Sequence, residues 1–321
     1  MSRTDTRARS RPLRAGVTLI EVLVVVVVVG LLAALIVPAV QSAREASRRS
    51  QCAGNLRQLG LALAAYSGVY GSFPGGGNGR RYSIHAMRLP YLEQTPLYNG
   101  INFGVAVGDG EPGSPNSTTV MTSLGLFSCP SQVRIDRLKL GVTNYAGSMG
   151  VNRRDFIDNG AFGLRSQRYT TPADFTDGLS TTAMMSEWIL SPIDRQVADH
   201  RGFVFDVEQQ YGGTANLDRF ADACAALDPA TARVGTDDQG HNWAKAGYIY
   251  TLYNHVLNVN QNSCMVEGAV QQGGFTAGSR HPSGANTLFG DGHVSFGGDG
   301  RNREVWRAIG TRDGGEVIGT D

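Results

Sequence analysis

Sixteen consecutive residues, Val22 to Val37, carry no polar side chain, and this run constrains the chain more than any other feature. With its flanks it extends from Val17 to Val40, 24 residues. As a helix that is roughly 36 Å, enough to cross a hydrocarbon core. One acid, Glu21, stands inside its first turns. A carboxylate at such a depth costs on the order of 2–3 kcal/mol, so its presence points to function. The preceding Met1 to Gly16 carries Arg3, Arg7, Arg9, Arg11 and Arg14 against a lone Asp5. A basic, apolar-poor leader of this kind stays on the cytoplasmic side and sets a single-pass, N-in orientation.

The junction reads Gly16, Val17, Thr18, Leu19, Ile20, Glu21. It resembles the prepilin-type cleavage and methylation motif of type IV pilins and type II secretion pseudopilins. The resemblance implies cleavage by prepilin peptidase between Gly16 and Val17, methylation of the new N-terminus, and a role for Glu21 in inserting the subunit into a filament. The family usually has Phe where this chain has Val17. Gly30 and Pro38 fall where pilin helices often carry a Gly and a Pro, and they weaken a helix by about 1 and 3 kcal/mol. An ordinary secretory signal fits less well, because the apolar core is too long and contains an acid. The first cysteine is Cys52, too far downstream for a lipoprotein signal. A simple membrane anchor is the remaining alternative.

The chain has 321 residues and a net charge of +1. The leader supplies +4 of that, so the remainder is near −3, which argues against a nucleic-acid partner. Glycine is abundant, 42 of 321, against a usual ~7%, and predicts many turns and short strands. Cys52, Cys129, Cys224 and Cys264 form no CxxC pair, which disfavours a zinc or thioredoxin motif. An N-in anchor puts them on the oxidising side, where disulfides persist. Of the three pairings open to four cysteines, Cys52–Cys129 with Cys224–Cys264 is the favoured one.

After Pro38 the helix is expected to continue. Leu56, Leu59, Leu63, Tyr66 and Tyr70 recur at steps of three and four, one stripe facing a core, and Gly71 is the expected stop. Arg44, Arg48 and Arg49 form a basic collar, read as a solvated face or a contact with headgroups or a neighbour's acids. Leu89 to Asn99 predicts a short helix or turn, Leu126 to Pro130 a short strand, and Asn144 to Gly147 an irregular stretch. Thr181 to Leu190 predicts a strand carrying Glu187. Residues 191–278 read as a large insertion, with strands at Gly202–Val207 and Gly247–Leu252 and a short helix at Leu217–Leu227. Asp237 to His241 reads as a solvated turn.

The clearest late signal is Ser279 to Phe296. Two alternating runs, Ala285–Phe289 and His293–Phe296, flank Asp291-Gly292, a hairpin signal in which both turn residues are expected at positive φ. His281 precedes Asp291 by ten positions, and is expected to hydrogen-bond its carboxylate and pin the turn. The spacing His-x9-Asp-Gly resembles the tail motif of a large bacterial family of prepilin-like proteins of unknown function. The same family is resembled at NLRQLGLAL with Tyr66 and Phe73-Pro74, at LPYLEQ, at Cys129-Pro130-Ser131, at Asn144-Tyr145-Ala146-Gly147, and at Asp177-Gly178 running to Glu187. The resemblance implies an architecture and a pilin-type route more than a role.

The expected fold is α+β: a leader (1–16), a transmembrane half-helix (17–40), its amphipathic continuation (41–70) packed on a small antiparallel sheet, and a pilin-like globular domain (71–321). The expected function is a subunit held in the inner membrane, with its globular domain periplasmic or in a surface filament. Its partners would be prepilin peptidase and copies of itself or other pilin-like subunits. No enzymatic activity and no resident cofactor are expected. Calcium is left open, because some pseudopilins carry it near the C-terminus and Asp299, Asp313 and Glu316 offer oxygens here. Two alternatives are a membrane-anchored module binding a ligand or polysaccharide, and an anchored metal-dependent hydrolase built on His281 and Asp291.

Overall fold

Helix α1 (Leu19–Tyr70) runs through Pro38 and ends at Gly71, whose φ of 70° and N–H to the Ser67 carbonyl (2.8 Å) close it. The left-handed conformation there suits glycine, which lacks the Cβ that makes it costly. The structure is a computed structural model and describes residues 18–77, 82–108, 113–133, 141–153, 159–163, 169–192, 200–211 and 216–316. The chain divides into two compact units, Met1–Ser47 and Arg48–Asp321. In the first, every large apolar side chain from Leu19 to Val37, and Val40, is exposed. In the second, α1 buries Cys52, Leu56, Leu59, Gly60, Ala62, Leu63 and Tyr66. Tyr70 departs from the expected stripe: it is 60% exposed, and its ring lies against Tyr66 at 4.4 Å.

Short helices α2 (Ile84–Met87), α3 (Thr95–Asn99) and α4 (Ser117–Met121) follow, with a 3-10 turn at Leu89–Leu92. Then come β1 (Tyr145–Ser148), β2 (Ala183–Glu187), β3 (Val204–Val207), α5 (Leu217–Ala225), β4 (Val234–Thr236), β5 (Leu252–Tyr253), β6 (Ser263–Val266), β7 (Ala269–Gly274), β8 (Gly284–Phe289), β9 (Val294–Gly298) and α6 (Arg303–Ala308). The main sheet has the order β5-β1-β2-β8-β9, antiparallel except for the parallel β1/β5 pair. A second sheet, β4-β3-β6-β7, lies wholly within 191–278. It packs Phe205, Val207 and Val266 with Phe220 of α5, and the Cys224–Cys264 disulfide ties α5 to β6.

Alternation along the main-sheet strands sorts their side chains onto two covered faces. Tyr145, Met185 and Leu288 share a core with Leu56 and Leu59 of α1, whereas Ala146, Ala285 and Phe289 pack with Trp306 of α6. The helix approaches β8 closely: a Cβ on Gly60 would lie 2.8 Å from Leu288 Cδ1. The amphipathic stretch of α1 is thus seated on the main sheet, in an α+β arrangement.

Several local expectations are corrected. Leu126 to Pro130 is not a strand, since Gly125–Phe127 forms a 3-10 turn closed by Ser128 N–H to the Gly125 carbonyl. Asn144 to Gly147 leads into β1, a wholly buried strand. Gly247–Leu252 is mostly a turn: the Gly247 carbonyl takes the N–H groups of Tyr250, Thr251 and Leu252, so pairing starts at Leu252. In the β8–β9 hairpin only Gly292 has positive φ (92°). Phe289 O accepts from Gly292 N–H and Phe289 N–H donates to His293 O, a three-residue loop ending in a left-handed glycine. Asp237 to His241 is not simply solvated, because Gln239 and His241 are buried against the end of β2 through Ile189 O and Ser191 O.

Candidate functional site

Two places carry chemistry that packing alone does not require: the start of α1, and a polar group buried between α1 and the main sheet. Gly16 and Val17 lie outside the described residues. At Thr18 the chain enters α1 through a capping box. Thr18 N–H and Oγ both reach Glu21 Oε2 at 2.8 Å, and Glu21 N–H reaches Thr18 Oγ at 3.3 Å. Glu21 is therefore the third residue of the helix. It satisfies one of the free N-terminal amides and stands exposed at the head of the apolar run.

Two of the three collar arginines contact the globular unit. Arg48 Nε donates to Ser131 Oγ at 3.2 Å, and the Arg49 guanidinium lies 4.7 Å from the Phe296 ring centroid. Arg44 is exposed.

The buried group is assembled from four segments distant in sequence. The Cys52–Cys129 disulfide, with Cα atoms 5.3 Å apart, joins α1 to the loop after the 3-10 turn. Glu187 closes β2, and His281 stands on the segment entering β8. His281 Nε2 is 3.5 Å from Glu187 Oε1 and 3.6 Å from Cys129 Sγ. All four side chains are buried. Glu187 is held by its β8 neighbour: the Asn286 N–H donates to Oε2 at 2.7 Å and its side-chain amide to Oε1 at 3.0 Å. Asn144 pins the cysteine loop by accepting from Cys129 N–H at 3.0 Å and donating to Trp188 O at 3.1 Å. Asn55 of α1 donates to Tyr145 Oη at 3.1 Å and to Ser128 O at 3.3 Å. Burial, and the nearby Glu187 charge, push the Tyr145 phenol far up, so it stays protonated.

The expected His281–Asp291 bond is absent from this arrangement. Strand β8 lies between the two residues, six residues at about 3.3 Å each. His281 enters at one end, buried, and Asp291 sits exposed in the turn at the other. The Asp291 carboxylate instead accepts from His293 N–H (3.0 Å) and Nδ1 (2.7 Å). Partial desolvation raises its pKa, but those bonds outweigh it and hold the carboxyl below its usual range. A hydrolytic pair of His281 and Asp291 is thereby excluded by separation. Asp299, Asp313 and Glu316 are exposed and, among the described residues, join no cluster of three ligands. Asp177 of the Asp-Gly motif serves another purpose, receiving the N–H groups of Gly314 (2.7 Å) and Gly315 (3.0 Å).

Sequence reasoning missed the partners of His281. Glu187 was legible as an acid on an apolar strand at the end of the Asp177-Gly178 motif, and Asn286 only as a polar residue in an alternating run. It also missed a second polar pair on the helix side: His85 Nε2 is 2.8 Å from Tyr145 O, and its Nδ1 is 2.6 Å from Arg88 Nη2. Burial, then the Arg88 charge, push the His85 ring well below its usual range, so it is neutral and can accept from the guanidinium.

Two family models match. The first, described as a protein of unknown function (DUF1559), covers residues 41–300, which include all four residues of the buried group. The second, the prokaryotic N-terminal methylation motif, covers residues 11–37, from the leader through Glu21 to the end of the apolar run. No curated protein and no solved structure matches. The chain belongs to the DUF1559 family and opens on a prepilin-type N-terminal methylation motif.

Proposed function

We propose that the protein is a pilin-like or pseudopilin-like subunit. Prepilin peptidase cuts it between Gly16 and Val17, its α1 head rests in the inner membrane with the leader cytoplasmic, and it then assembles into a filament or secretion-type pseudopilus. The single observation that carries this reading is the exposed apolar surface of α1 from Leu19 to Val40, headed by one acid within the methylation motif. A membrane covers such a surface before assembly, and neighbouring helices cover it afterwards. Glu21 has no cationic side chain in its own apolar run. In an assembled bundle the new amine at Val17 of a neighbour supplies the missing charge, and a misplaced subunit would leave two charges unpaired in apolar surroundings. The role is structural rather than enzymatic, and the partners are the peptidase and other pilin-like chains.

Glu21→Val tests this reading. Membrane insertion and cleavage should persist, while cross-linking to wild-type subunits and recovery in filaments should fall, with Glu21→Gln intermediate. If Glu21→Val assembled as well as wild type, Glu21 would not be the assembly acid and a plain anchor would be the better description.

A further inference from the structure

The group around the Cys52–Cys129 disulfide contains more chemistry than a covalent staple needs. Both sulfurs, a Glu187 oxygen and a His281 ring nitrogen lie within 4.8 Å of one another, and all four residues are buried. Two sulfurs, one imidazole and one carboxylate form a donor set that zinc accepts in tetrahedral sites. With bonds of about 2.0–2.3 Å, the edges of such a tetrahedron are about 3.3–3.8 Å. The His281–Glu187 and His281–Cys129 separations, 3.5 and 3.6 Å, already have that length. The two sulfurs, bonded to each other, are too close for this, and reduction frees them to part by side-chain rotation, while every other donor pair lies within 4.8 Å. The carboxylate is also oriented from behind by two Asn286 donors, as second-shell groups orient metal ligands.

We propose that the dithiol form of this protein binds one zinc-class divalent cation through Cys52, Cys129, Glu187 and His281, and that metal and disulfide are alternative states of the same site. The interconversion balances with a thiol reductant. Two reductant thiols are oxidised to a disulfide, and Cys52 and Cys129 take up their two electrons and two protons. The cation then displaces both thiol protons and binds the two thiolates, the carboxylate and the neutral imidazole. The donors lie on α1, the cysteine loop, β2 and the entry to β8, so the metal would hold together the two segments that the disulfide joins and add two more. A chain newly delivered to an oxidising compartment passes through this dithiol state. The inference does not depend on filament assembly.

The test uses the full chain in detergent, with Cys224→Ser/Cys264→Ser removing the other thiols. The protein is reduced without oxygen, freed of reductant and titrated with Co2+. One equivalent should bind with thiolate-to-cobalt charge-transfer and tetrahedral visible bands, and the oxidised protein should show neither. Zinc displacement followed by X-ray absorption should find two sulfur and two nitrogen or oxygen neighbours. Asn286→Ala, which spares every ligand, should weaken binding about 10- to 100-fold. Absence of stoichiometric binding by the reduced protein would overturn the proposal. So would a sulfur count other than two, or equal binding after Cys52→Ser/Cys129→Ser.

Discussion

The geometry makes a sharp prediction about which residue His281 depends on. In the oxidised protein, Glu187→Ala removes the acceptors of two buried Asn286 donors, held at 2.7 and 3.0 Å. Each unsatisfied buried donor costs about 1–3 kcal/mol, so the substitution should destabilise the globular unit by about 2–6 kcal/mol. Glu187→Gln keeps one acceptor and should cost less. His281→Ala should cost about 1–3 kcal/mol, and the double variant should fall short of the sum by about 1–2 kcal/mol, as for side chains in direct contact. Asp291→Asn is a surface change, expected within about 0.5 kcal/mol. Because β8 separates it from His281, the two should add within about 0.5 kcal/mol. Trp188, Trp243 and Trp306 are buried in the same unit, so their fluorescence during denaturant unfolding of the detergent-solubilised chain reads these changes directly. Additive losses for His281 and Glu187, or coupling between His281 and Asp291, would mean that Glu187 is not the partner of His281.

Two further outcomes follow from the covalent and titratable framework. Loop-closure entropy over 77 and 40 residues gives upper estimates of about 4.5 kcal/mol for loss of Cys52–Cys129 and about 3.9 kcal/mol for loss of Cys224–Cys264; paired Cys→Ser variants compared by unfolding should preserve that order, with the first pair costing more. His255 is fully buried, its ring between Trp306 O (2.8 Å) and Tyr253 Oη (3.0 Å), and burial pushes its pKa down to about 3. The unfolded ring protonates near 6.5, so between these values the unfolded state binds more protons. The contribution is therefore full above about pH 6.5 and is lost at up to about 1.4 kcal/mol per unit as pH falls. Buried neutral His85 and His241 act with the same sign, and His255→Phe should flatten the acid limb of the stability curve.

What the sequence revealed depended on whether an element keeps its period. Helix α1 was legible from end to end, because its head is uniformly apolar and its second half carries a three-four stripe stopped by Gly71. The β8–β9 hairpin was legible from its alternation around Asp291-Gly292. Strand β1 was not, because Tyr-Ala-Gly-Ser is buried on both faces and a strand covered on both sides loses its two-residue period. The site was half legible. Cys129, Asn144, Glu187 and His281 each stood in a motif, but nothing in their spacing said that they meet. A fixed ten-residue separation suggested that His281 and Asp291 touch, when an extended strand carries them apart. The capping box at Thr18 and Glu21 went unread although its Thr-x-x-Glu pattern signals one, and it gives Glu21 a local role besides the one proposed for it in assembly.

Entry of this chain into a prepilin route would be written in the mass of its N-terminus. Protein purified from its native membrane should begin at Val17, sixteen residues shorter than the precursor and bearing one added methyl group, and Gly16→Trp should leave the precursor uncut. A wild-type chain that retains Met1 to Gly16 in that membrane would contradict the account.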